Sequence, residues 1–250
     1  MPVVTPLRRI LPVALAVLTC TAARTHAQCL PATCSTGTPV FLNFESLTPG
    51  ASVEGAGAVY PQLKITGVPW SFSPSCSTGT TAVIQAGSPI PFASYSSGST
   101  DNACLSGNRG FGHPADCVLD YDFTFSAGAT VTCFSFRMVD YGDYFPFGGT
   151  THTATVTAYN ASNAVVATDV LTMSGGPNLT TGDACGAGLN GDPGNKMFTV
   201  TGAGIVKVTL RFDQFPDPNV GFDDLSFCLH IDPTPIERRS WGRIKTLYRG

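Results

Sequence analysis

"GIVKVTLRFD", residues 204–213, alternates without interruption: Val206, Val208, Leu210 and Phe212 fall on one face, Lys207, Thr209 and Arg211 on the other. A period of two over that length marks a half-buried β-strand. "TVTCFSFRMVD" (130–140) repeats it, with Phe134, Phe136 and Met138 opposed to Cys133, Ser135 and Arg137. "THTATVTAY" (151–159) and "AVVATDVLTM" (164–173) flank "NASN", a hairpin turn. Earlier strands are predicted in "PVFLNFE" (39–45), "QLKITGV" (62–68), "TAVIQ" (81–85) and "VLDYDFTF" (118–125). Between them lie clusters of Gly, Ser, Pro, Asn and Asp, and no useful helical period occurs before residue 236. Ten or so short strands spaced in this way predict an all-β fold, an antiparallel β-sandwich or jelly roll.

Both ends of the chain differ from this body. Arg8 and Arg9, the apolar run Ile10–Cys20 and "THA" before Gln28 predict a signal peptide over residues 1–27. A single sandwich domain is then expected over 28–230. Residues 231–250 form a Pro-containing linker and a basic amphipathic tail, with Trp241, Ile244, Leu247 and Tyr248 at helical spacing. No run is long enough for a transmembrane helix.

Export sets the meaning of the cysteines. Nine become eight once Cys20 leaves: Cys29, Cys34, Cys76, Cys104, Cys117, Cys133, Cys185 and Cys228. An even set in an exported chain predicts disulfides, in any of 105 pairings. Cys104 and Cys117, which bracket the Gly-rich "LSGNRGFGHPAD", are the pair the spacing suggests first. There is no CxxC and no matching histidine spacing, so zinc is disfavoured.

Residues 28–235 carry six basic and sixteen acidic side chains, whereas the last fifteen residues carry five basic and one acidic. An acidic, lysine-poor body excludes a phosphate-binding face for nucleic acid and is compatible with divalent cations. No nucleophile elbow, HExxH, P-loop or dinucleotide fingerprint occurs. His113 precedes Asp116 by three residues, a spacing that suits a loop histidine beside a disulfide better than a catalytic pair. With three glutamates in the mature chain and scattered aspartates, a glycosidase carboxylate pair is the alternative to binding rather than the first expectation.

Candidate ligand contacts lie in "DYGDYFPFGG" (140–149), where Tyr141 and Tyr144 would stack on sugar faces and Asp140 and Asp143 would accept hydroxyl bonds. Trp70, in "VPWSFS", joins them. Phe145 and Phe147 are expected to cap the core. Asn160 and Asn178 head glycosylation sequons.

The least ordinary stretch is "VGFDDLSFC" (220–228), which sets two carboxylates among core residues. Strict alternation puts Asp223 with Leu225 and Phe227, and Asp224 with Phe222 and Ser226. A buried carboxylate needs compensation. "NFE" followed by a Gly/Pro turn, with a last strand "GFDDLSF", resembles the galactose-binding-like jelly roll of many carbohydrate-binding modules. That resemblance implies that the first and last strands meet. It also implies a structural Ca²⁺ held by Glu45 and Asp223, with Asp224 as a further ligand. A second resemblance rests on "FESLTPGASVEGAGAVYPQLKITG", "FSFRMVDYGDYFP", "VTAYNASNAVVATDVLT" and "VTGAGIVKVTLRF". These are similar to exported bacterial β-sandwich domains of PEP-CTERM-type surface proteins. Together the two imply a secreted or cell-surface, non-catalytic, calcium-stabilised protein that binds carbohydrate or serves in a surface matrix.

Overall fold

The computed structural model describes residues 29, 34–69, 82–86, 107–112, 119–139, 141, 151–174, 196–213 and 220–232. The predicted signal peptide and basic tail lie outside them. The described residues form eleven strands: β1 (Thr38–Leu42), β2 (Gly55–Tyr60), β3 (Leu63–Pro69), β4 (Val83–Ala86), β5 (Arg109–Gly112), β6 (Leu119–Phe125), β7 (Ala129–Val139), β8 (Thr151–Asn160), β9 (Val165–Ser174), β10 (Lys196–Asp213) and β11 (Gly221–Ile231). All strand-to-strand ladders are antiparallel. No helix among the described residues is long and apolar enough to cross a membrane.

The long strand β10 links the two halves of one continuous, curled sheet. Its first part pairs with β7, and its second part lies between β6 and β8. The change comes at a bulge between Thr201 and Ile205, where Gly204 has a φ of 65°. A bulge bends a strand and raises its twist, and glycine accepts positive φ without a Cβ clash. Ile205 is therefore fully buried while Val206, predicted on the core face, is only half-buried. Downstream the expected alternation holds, with Val208, Leu210 and Phe212 inside.

One half of the sheet runs β4-β5-β11-β7-β10 and the other β2-β3-β6-β10-β8-β9, with β1 also on β11. Aromatic rings fill the space between them. Phe123 of β6 lies 5.1 Å from Phe134 and 5.5 Å from Phe136 of β7, and Tyr121 lies 5.0 Å from Phe222 of β11. Fully burying such a ring contributes roughly 1.5–3 kcal/mol, so this cluster dominates the core. The protein is an antiparallel β-sandwich.

Two disulfides fasten the N-terminal segment onto the outer side of β7 and β11: Cys29–Cys133 and Cys34–Cys228. Cys29 also donates its N–H to Ser135 Oγ, and Ser135 Oγ lies 2.7 Å from Ser226 Oγ. The expected Cys104–Cys117 bridge, with Cys76 and Cys185, falls outside the described residues. Part of its supposed loop is a strand: Arg109–Gly112 is β5, paired with both β4 and β11.

Candidate functional site

The first and last strands meet as the jelly-roll resemblance implied, β1 lying on β11 from Thr38↔Leu229 to Leu42↔Leu225. On the same edge of β11, β5 pairs at Gly221 and Phe222. Asp223 and Asp224 thus fall where one partner strand hands over to the other.

The doublet sits in a bulge. Against β7, Asp223 is level with Arg137 and Ser226 with Ser135, so three steps on β11 match two on β7. Asp224 takes the extra step with a φ of 52°, a left-handed conformation that Asp tolerates better than most residues. This corrects the strict alternation. Phe222, Leu225 and Phe227 all belong to the core cluster, although Phe222 and Phe227 are five residues apart. The two aspartates share one position of the pleat between Phe222 and Leu225. Both are buried, Asp223 at 0% exposure and Asp224 at 6%, and Arg137 opposite is 9% exposed. Asp223 and Arg137 thus stand level on adjacent strands as opposite charges, an arrangement in which one can offset the burial of the other.

Glu45 lies just beyond β1, after Phe44, whose φ is 59° and whose ring packs 5.2 Å from Phe111 of β5. A bulky residue with positive φ is strained and must be held by its surroundings. The holding bonds come from β5. Glu45 Oε1 accepts the N–H groups of Asn108 and Arg109, each at 2.7 Å. In return, Arg109 Nη1 donates to Glu45 O at 2.6 Å and to Leu47 O. Gly107, at φ 103°, makes room, because a Cβ there would come within 2.5 Å of Glu45 Oε1. Among the described residues, no group of three or more His, Cys, Asp or Glu side chains is set to hold a metal ion.

Of the predicted ligand contacts, Tyr141 is the one described, and it is corrected to a core residue. Its ring is fully buried, 4.9 Å from that of Phe212, and its hydroxyl donates to Thr153 O. Core packing has taken a ring that the turn-rich sequence around it made look superficial. Trp70, Asp140, Asp143 and Tyr144 lie outside the described residues.

Four other described carboxylates have structural partners. Glu54 Oε1 accepts Ala82 N–H, and Asp120 Oδ1 accepts Phe212 N–H. Asp122 pairs with Arg211. Asp169 pairs with Lys196 at 2.7 Å and accepts Thr199 N–H.

The outward face of the β8–β9 hairpin has a different composition. Its register sets Thr157 level with Thr168, Thr155 with Val170 and Thr153 with Thr172. Thr168, Val170 and Thr172 are exposed, and their β8 partners are half-buried. Lys207, from the neighbouring β10, lies 4.6 Å above the Tyr159 ring at one end of these rows. Sequence reasoning passed over this face because its threonines read only as the polar half of two strands.

No family model and no curated protein matches the chain. Among solved structures, it is similar to the K2 cleaved adhesin domain of Lys-gingipain, at 17% identity and a TM-score of 0.36 over 76% of this chain and 97% of that one. It is also similar to the family 11 carbohydrate-binding module of a cellulosomal cellulase of Clostridium thermocellum, at 8% identity and 0.27 over 80% and 99%. A third is TmCBM61 in complex with β-1,4-galactotriose, at 11% identity and 0.29 over 68% and 88%. Likeness at that level identifies neither a family nor a ligand.

Proposed function

We propose that the chain is a non-catalytic extracellular binding module that takes polysaccharide on the threonine-lined face of β8 and β9. The observation that carries the non-catalytic half is how seven of the carboxylates among the described residues are used. Glu45, Glu54, Asp120, Asp122 and Asp169 each accept backbone N–H bonds or pair with a cation inside the fold, and Asp223 and Asp224 are buried in the bulge. A glycosidase needs two carboxylates aimed at one bond with matched protonation states, and these are spent on strand ends and cross-strand pairs. Disulfides between β7, β11 and the N-terminal segment suit an oxidising compartment.

The binding half rests on the hairpin. Strands lie about 4.8 Å apart, and same-face residues about 7 Å apart along a strand. The five threonines therefore offer rows of hydroxyls, each able to donate and accept, with methyl groups and the Val170 side chain between them. Sugars present the same mixture of hydroxyls and C–H faces. A glycan array probed with the folded protein tests this reading. Binding to at least one polysaccharide class, abolished in a Thr157→Glu/Thr168→Glu variant that keeps its melting temperature, is expected. Absence of binding across the array overturns it.

A further inference from the structure

We propose that the guanidinium of Arg109 does the work of a structural cation at the junction of β1, β5 and β11, so that closure of the first strand onto the last needs no calcium. The oxygens that a cation would collect there are committed to Arg109 and its own backbone. Glu45 O and Leu47 O both accept from Arg109 Nη1, and Glu45 Oε1 accepts the N–H groups of Asn108 and Arg109. One residue thus binds the turn after β1 from two sides, through its main chain to the Glu45 carboxylate and through its side chain to the turn carbonyls. A hard divalent ion prefers six to eight oxygens and would have to displace these bonds.

Arg109 reaches Glu45 twice, its main-chain N–H bonding the carboxylate and its guanidinium bonding the main-chain carbonyl. Only six basic residues occur between 28 and 235, and one of them is committed to this turn. The guanidinium is permanently charged and planar, so it can reach two carbonyl oxygens in one geometry, which a compact ammonium matches poorly. The strained Phe44 beside it explains why the turn needs an anchor.

The test is differential scanning calorimetry of the full chain with excess chelator and with excess calcium, on wild type, Arg109→Ala and Arg109→Lys. The wild type is expected to melt at the same temperature in both buffers. Arg109→Ala should melt several degrees lower, with Arg109→Lys between them. A wild-type melting temperature that falls with chelator and returns with calcium overturns the proposal. So does an Arg109→Ala protein that melts like wild type. The wild-type arm requires no variant to fold.

Discussion

Asp223 on β11 stands level with Arg137 on β7, both buried, on the side of the strand pair that two disulfides cover. The relationship explains how a last strand with two adjacent carboxylates can sit inside a sandwich. One carboxylate faces a cation across the ladder, and the other occupies the step that the bulge adds.

Removing either partner should leave a buried charge facing no opposite charge. Arg137→Met and Asp223→Asn are each expected to cost about 3 kcal/mol in urea unfolding, with the double variant losing clearly less than the sum. Additive losses would show that the two side chains do not interact.

At Asp224 the backbone decides rather than the charge. Asp224→Asn keeps a residue that accepts left-handed φ and should change stability by less than about 1 kcal/mol, whereas Asp224→Val should cost about 2 kcal/mol more. Equal stability of the two variants would remove the bulge from the account.

The disulfides close long loops, with separations of 104 and 194 residues. Each should stabilise by about 4–5 kcal/mol in the chain-entropy model. Peptide mapping without reduction should recover Cys29 joined to Cys133 and Cys34 joined to Cys228. Recovery of Cys29 joined to Cys34 would contradict the arrangement.

Alkaline pH should loosen the core through Tyr121. Burial, with the nearby Glu54 charge adding to it, pushes the Tyr121 phenol well above its usual value. The folded state then keeps a proton that the unfolded chain loses above about pH 10. Stability tied to this group is full below that pH and declines as pH rises beyond it. Tyr121→Phe should flatten the decline measured by urea midpoints across that range. An unchanged slope would mean that other groups govern it.

Much of the sandwich was legible because most strands keep a two-residue period. "VLDYDFTF" is a strand as predicted, with Leu119, Tyr121, Phe123 and Phe125 buried, and β8 and β9 meet at the predicted turn. What escaped were places where the period breaks or the partner is distant. The doublet was assigned to two faces because alternation assumes no bulge, although the odd spacing of Phe222 and Phe227 carried the hint. β5 was hidden in "GNRGFG", where glycines look like a loop. Glu45 was visible, but its partner Arg109 lies 64 residues away, and nothing local joins them. Tyr141 was misplaced for the same reason, since Phe212 reaches it from β10.

The most direct measurement is affinity electrophoresis of the folded chain through gels containing single polysaccharides, alongside Thr157→Glu/Thr168→Glu and Arg109→Lys. The account predicts that at least one polysaccharide retards the wild type and Arg109→Lys equally, that the threonine variant runs free, and that no reducing ends appear in the gel. Retardation unchanged by the threonine substitutions, or release of reducing ends, would contradict a non-catalytic site on the β8–β9 face.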